Sequence, residues 1–311
     1  MHDRYGRRMT MIHGAGEYVP TEHGRLYLEV EGQGPPVVIV PGGPGVGHAH
    51  YHPWFSRLAG AHQVIYFDYL GTGRSDRLAD PRGYSIALFA DGIEAVRRHL
   101  GHDSITLLGV SFGGMPTLAY CTEHRDRVAA VVLSNGQMSA ATWQRGNIDH
   151  VNAGLREYFP ERWERLLDLR ARGTRSLDDA YGELLEPVVD AYEWAARDPS
   201  ARPRLHRDEH NGFRLDVYAA VCGDDPEWTV GGTMAGFDPL PELAGRRIPA
   251  LVATGRWDGM VTPALARFGV EALGDTARMH IFEHSAHRPW AEEPDRYFDE
   301  VGRFLLDHRA R

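Results

Sequence analysis

The sequence predicts an α/β fold: a mostly parallel central sheet flanked by helices, with a helical cap inserted into it. Three observations carry this expectation. Short apolar runs alternate with segments of helical periodicity in both halves of the chain. Several runs are apolar at nearly every position, as in strands covered on both faces. The alternation is interrupted between about residues 137 and 243 by a stretch of helical character. Strand–helix alternation of this kind implies parallel pairing.

Taken in order, "RLYLEVEG" (25–32), "PPVVIVPGG" (35–43) and "HQVIYFDYLGTG" (62–73) read as strands. "SIALFADGIEAVRRHLG" (85–101) places apolar residues at helical spacing and ends on a glycine suited to a C-cap. "SITLLGV" (104–110) reads as a buried strand, "MPTLAYCTEHRDR" (115–127) as a helix and "VAAVVLSNG" (128–136) as a further strand. The middle stretch is rich in Trp, Tyr, Glu and Arg, with breaks expected at Pro160, Pro187, Pro199 and Pro203. The alternation resumes with a strand at 248–258, a helix from about 262, a strand at 277–287 and a terminal helix at 294–308. The expected division is a core of 1–136 and 244–311 with a cap of 137–243.

The chain has 311 residues, 42% hydrophobic and 25% charged, which is ordinary for a globular protein with a sizeable core. Its net charge is -9 and no basic block stands out, so neither nucleic acid nor an anionic membrane is an expected partner. All 34 basic residues are arginine, which excludes a lysine Schiff base, a Walker A lysine and a Ser-Lys dyad. Two cysteines, Cys121 and Cys222, make no disulfide framework, and no Cys/His spacing resembles a zinc site, so no metal is expected. "GGPGVG" (42–47) and "GTG" (71–73) fail the G-x-G-x-x-G spacing, so no dinucleotide or other cofactor is expected. "MHDRYGRRMTMIHGAG" lacks the apolar stretch of a signal peptide, and no run approaches the roughly 20 residues of a membrane span; a cytoplasmic location is the expectation.

The chemistry-bearing segment is "GVSFG" (109–113), a G-x-S-x-G between a predicted strand and a predicted helix. A strand-to-helix elbow holds its serine in strained backbone, and small neighbours let strand and helix approach. Ser111 is therefore the candidate nucleophile. A serine hydroxyl is weak alone and needs a base and a group to orient that base. Asp258, after "ALVATGRW", and His287, after "MHIFEHSA", follow in that order at the C-terminal ends of late strands, where open α/β sheets gather their sites. His284 is the rival base, placed still on the strand. His48, His50, His52, His62 and His206 are read as solvated or local hydrogen-bonding groups, and Asp68 as structural. Donors for a developing oxyanion are expected from the amide of Phe112 and from "PGGPG" (41–45), with Gly42 assigned and Gly43 second.

Together these residues resemble an α/β-hydrolase of the proline iminopeptidase group. The matching motifs are PGGPG (41–45), DYLGTGRS (68–75), GVSFGG (109–114), GRWD (255–258) with Thr262 and Pro263, and SAH (285–287). The resemblance implies the α/β-hydrolase fold with a helical cap, a serine aminopeptidase activity on a short peptide or small molecule, and substrate-binding residues in "VYAAVCGDDPEWTVGGTMAGFD" (217–238). By that match Glu227 anchors the substrate's free amine and Tyr218 and Trp228 neighbour it, with Trp143, Trp194 and Trp228 as candidates for selecting the acyl side. Two departures stand out: Pro41 replaces the usual histidine, and Gly259 replaces an acidic residue often found after the catalytic aspartate. Asp224 and Asp225 are candidates to compensate. The alternative is an ester, lactone or secondary-metabolite amide hydrolase with the same triad and no amine requirement; a more remote one is a non-catalytic ligand-binding protein on a hydrolase scaffold. The oligomeric state has no signal in the sequence.

Overall fold

The computed structural model describes residues 16–206, 209–210 and 212–310; the N-terminal segment read above for a signal peptide therefore lies largely outside the described residues. Eight strands form one sheet: β1 (Glu17–Thr21), β2 (Gly24–Glu31), β3 (Pro36–Val40), β4 (Gln63–Phe67), β5 (Ile105–Val110), β6 (Val128–Ser134), β7 (Ala250–Gly255) and β8 (Ala277–Phe282), in the order β1-β2-β4-β3-β5-β6-β7-β8. The β1–β2 and β2–β4 pairs are antiparallel and all others parallel. β1 has no counterpart in the sequence reading. It is a short edge strand, "EYVPT", which carries a proline and buries only Val19, so neither apolar alternation nor strand propensity marks it.

Helices α1 (Ile86–His99), α2 (Gly114–Glu123) and α9 (Pro263–Leu273) cover one face of the sheet, while α10 (Pro289–Glu292) and α11 (Pro294–Asp307) cover the other. The strand residues divide accordingly. Val38, Val40 and Leu107 join the first core cluster, and Val37, Ile39 and Leu108 join the second. That alternation is the period-2 geometry of a strand whose two faces are both buried, and it explains the unbroken apolar runs.

Between β6 and β7 the described residues form no strand. The insertion contains α3 (Ala140–Trp143), continuous through a wide turn at Gln144–His150 with α4 (Val151–Tyr158), then α5 (Pro160–Ala171), α6 (Asp179–Glu193), α7 (Leu215–Cys222) and α8 (Leu240–Leu243). Pro160 starts α5 at its first turn, where its missing N–H costs nothing, but Pro187 does not break its segment; it lies inside α6. The insertion has its own apolar cluster, built from Val151, Leu155, Leu166, Tyr181, Leu185 and Val188.

Candidate active site

Ser111 sits between β5 and α2 at φ +54°, a left-handed conformation that L-residues adopt only when the surroundings over-determine it. The surroundings here are close. A Cβ at Gly113 would lie 2.2 Å from the Val40 carbonyl oxygen, and one at Gly109 would lie 2.6 Å from Thr117 Oγ1. Both glycines of the motif are thus required by the approach of β3, β5 and α2, and the turn projects the Ser111 side chain off the end of the sheet.

Two other strand ends converge on it. His287 Nε2 lies 2.9 Å from Ser111 Oγ, and His287 Nδ1 lies 2.9 Å from Asp258 Oδ2. Asp258 is buried. Its Oδ1 accepts the amides of Met260 and Val261 at 2.8 and 2.9 Å, and its Oδ2 also accepts Asn135 Nδ2 at 2.5 Å. Burial pushes this carboxyl up, but the adjacent His287 imidazole, the Asn135 amide and the Val261 N–H outweigh it and hold Asp258 below the usual range. The carboxylate is therefore ionised and aimed, which fixes the proton of His287 on Nδ1 and turns the lone pair of Nε2 toward the serine. His284, in contrast, lies beyond the end of β8, in an exposed turn.

Several residues around this trio carried no sequence signal. Asn135, at φ +50°, stands just after β6, where the sequence reading saw only the end of a strand. Tyr51 Oη accepts the Gly42 amide at 2.6 Å, which corrects the expectation for Gly42: its N–H is already taken. The Gly43 amide has no protein acceptor among the described residues, and the Phe112 amide lies in the first turn after the elbow, where intrahelical acceptors are lacking. The loop bearing His287 is pinned by two carboxylates. Glu292 accepts from the Ala286 amide at 2.8 Å, and Glu293 from the His284 amide at 2.8 Å and Ser285 Oγ at 2.7 Å.

Ser111 and His287 open onto a cavity of about 780 Å³ roofed by the insertion. Gly42, Gly43, Tyr218 and Glu227 line it as well. Tyr218 Oη donates to Glu227 Oε1 at 2.6 Å. Burial, with the charge of Asp225 adding, raises the Glu227 carboxyl above its ordinary value despite that hydrogen bond. Trp228 is not in this cavity. It stacks on Trp163 at 5.9 Å with the Arg170 guanidinium 4.0 Å over its ring, and faces a separate cleft; of the three candidate tryptophans only Trp143 lines the Ser111 cavity. Asp225 is likewise unavailable: Arg170 holds it through two bonds of 3.0 and 2.8 Å, and Arg175 reaches it at 3.2 Å. Asp224 is exposed outside the cavity. The other acids on the cavity wall are Glu186, Glu193 and Glu209, of which Glu193 pairs with Arg288 at 2.9 Å. Gly259 has a physical reason: a Cβ there would lie 2.0 Å from the Tyr192 ring, so the space an acidic side chain would need is filled.

Asp68 is buried and holds the His48 amide and Nδ1, both at 2.8 Å, and the Arg74 amide at 2.9 Å. His48, His52 and His62 are buried rather than solvated; the carboxylates that tolerate His48 and His52 come from other strands and loops. His50 borders the cavity, and burial reinforced by the Arg288 charge pushes it down to about 3.

Residues 35–294 match the family model described as the alpha/beta hydrolase fold. The chain belongs to that family. It is 29% identical over 283 residues to a proline iminopeptidase of Heyndrickxia coagulans, covering 89% of this chain and 93% of the relative. Among solved structures it is similar to the crystal structure of VinJ, with a TM-score of 0.80 and 25% identity over 95% of this chain and 99% of that one. A proline iminopeptidase of Mycobacterium smegmatis shares the fold with a TM-score of 0.75 at 23% identity, covering 94% and 98% of the two chains. This α/β hydrolase is thus similar along most of its length to proline iminopeptidases. No helix among its described residues is long and apolar enough to cross a membrane.

Proposed function

We propose that this hydrolase releases an N-terminal residue, proline or another small one, from a peptide or aminoacyl amide through an acyl-enzyme. Ser111 Oγ attacks the carbonyl carbon as its proton passes to His287 Nε2. The oxyanion is held by the amides of Phe112 and Gly43, a contribution of about 3–4 kcal/mol per donor in such sites. His287 then gives the proton to the leaving nitrogen and the C–N bond breaks. Water, losing its proton to His287, attacks the ester and frees both the acid and Ser111. Asp258 orients the imidazole and stabilises its charged form. In this reading the insertion is a cap that excludes water and selects the substrate.

What carries the reading is the placement of Glu227 on the wall of the same cavity as Ser111. Four glutamates against one arginine line that cavity, and such an excess favours a cationic substrate. A half-buried carboxylate oriented by Tyr218 can hold an ammonium through charge-assisted hydrogen bonds. The test compares aminoacyl and simple acyl nitroanilides with the Glu227→Gln variant. A loss of roughly 10–100-fold in kcat/KM is expected on the aminoacyl series alone; equal effects on both series reject amine recognition.

A second reading, a neutral ester, lactone or secondary-metabolite amide, is favoured by the Tyr192 ring, which closes the position where a second amine-binding acid would stand. It requires that the acyl substrates outperform the aminoacyl ones before any mutation.

A further inference from the structure

Beside the antiparallel β2–β4 pair lies a second buried cluster of ionisable groups that takes no part in the reaction above. We propose that Glu29, His48 and His52 form a binding site for one divalent transition-metal ion of the zinc class. This inference does not rest on the proposed function.

The three residues are 1%, 3% and 2% exposed. Glu29 comes from β2, and the two histidines flank the short turn Ala49–Tyr51 that follows the 41–45 loop. Each imidazole has its Nδ1 against a carboxylate: His48 Nδ1 lies 2.8 Å from Asp68 Oδ1, and His52 Nδ1 lies 3.3 Å from Glu31 Oε1. Donation from Nδ1 to a carboxylate orients the ring and raises the basicity of Nε2, the arrangement that supports histidine ligands in metal sites.

Both Nε2 atoms then face one carboxylate. His48 Nε2 lies 3.7 Å from Glu29 Oε1, and His52 Nε2 lies 3.5 Å from Glu29 Oε2. These separations exceed an ordinary N–H···O bond of about 2.7–3.2 Å. They are close to the edge of a tetrahedron of donors placed ~2.0–2.1 Å from a zinc ion, roughly 3.4 Å. One donor atom from each of the three residues lies within 4.8 Å of the others, so a contraction of the order of an ångström completes the geometry. Glu29 Oε1 accepts from Tyr27 Oη at 2.7 Å and from Arg74 at 3.1 Å, which holds the carboxylate in place.

The charge of the cluster agrees. Among the described partners three carboxylates, Glu29, Glu31 and Asp68, stand against one guanidinium, Arg74, an excess that favours a cation. The competing arrangement is a pair of imidazolium protons in a purely ionic network, and the two give different experimental results. Two imidazoles and a carboxylate, with no thiolate, suit zinc, cobalt or nickel rather than calcium or magnesium. The rings of Tyr66, 4.0 Å from His52, and Tyr27, 5.9 Å from His48, close the site, so the ion has a structural role. It would tie β2 to the segment after the loop that carries Gly43.

The test uses the full chain, stripped with EDTA and desalted, then titrated with zinc chloride by calorimetry and assayed for retained metal. The expected result is one zinc per chain and a higher Tm, unchanged in Ser111→Ala. With cobalt(II) in place of zinc, the visible bands of a tetrahedral N/O site are expected. Glu29→Gln and His52→Gln should each abolish stoichiometric binding, and Glu31→Gln, which replaces the carboxylate that supports His52 and also accepts from Tyr66 Oη, should weaken it about 10–100-fold. Wild-type protein that retains no zinc above the buffer blank and shows no Tm shift overturns the proposal and leaves the proton-only network. Binding that survives in the Glu29→Gln/His52→Gln double variant also overturns it, by placing the metal on other histidines among the 17 in the chain. Should the variants fail to fold, the wild-type stoichiometry and cobalt spectrum still decide.

Discussion

At the rim of the sheet, each polar side chain of the Ser111 trio is held by backbone or by a buried partner. Asp258 alone accepts two amides, one side-chain amide and one imidazole. The insertion above it is built differently. Its carboxylates Asp225 and Glu227 stand in the turn that follows α7; Glu227 is oriented by one phenol, and Asp225 is neutralised by two arginines. The contrast separates two tasks. Proton transfer needs atoms fixed to within a fraction of an ångström, which a strand end with its loops supplies. Selection of a substrate needs charge and shape, which a helical roof with its own small core can vary without disturbing the chemistry below.

The largest test of that separation is at the elbow. Ser111→Ala is expected to lower kcat by roughly 10⁴–10⁶-fold while leaving Tm and ligand binding in the cavity intact, measured by steady-state kinetics and calorimetry. Asp258→Asn should cost about 10⁴-fold, because the wrong imidazole tautomer then faces the serine. Asn135→Ala removes a hydrogen bond to the aspartate without touching the serine; a drop of about 10–100-fold in kcat at constant KM is expected, and an effect on KM instead would tie Asn135 to substrate.

The insertion responds in another currency. Gly259→Ala places a methyl against the Tyr192 ring and should lower stability by about 1–3 kcal/mol, read as Tm, with relief in the Tyr192→Ala background. Equal destabilisation in both backgrounds would show that the ring is not the obstacle. The raised Glu227 carboxyl has two consequences of known sign. An anionic anchor forms only above its folded pKa, so KM for aminoacyl substrates should rise on acidification from a higher pH than an ordinary glutamate near 4.5 would give. In addition, the folded state holds this proton more tightly than the unfolded chain, so stability falls as pH rises from the ordinary value through the raised one. Glu227→Gln should therefore raise Tm at neutral pH and lose that gain below the ordinary carboxyl range. The smallest effect is expected at the exposed Arg82–Asp80 pair, where Arg82→Ala should leave both activity and Tm unchanged.

Local physics made much of this molecule readable in one dimension. Strands buried on both faces must be continuously apolar, a strand-to-helix elbow must be flanked by small residues, and strand ends collect reactive groups. The core strands, Ser111, Asp258 and His287 were legible for those reasons. What the residue order left open depends on which side chains meet across long separations. Gly42 reads like Gly43 until Tyr51 takes its amide. Trp228 reads like a pocket residue until Trp163 and Arg170 claim both sides of its ring, and Asp225 like an anchor until Arg170 and Arg175 neutralise it. Asn135 reads like the end of a strand until its amide is seen on Asp258, and the carboxylates that orient His48 and His52 come from different strands or strand ends. Periodicity and turn chemistry act within a few residues, so sequence alone determines elements and exposed chemistry. Hydrogen-bond partners and buried charge balance belong to the packed fold, and only the tertiary structure decides them.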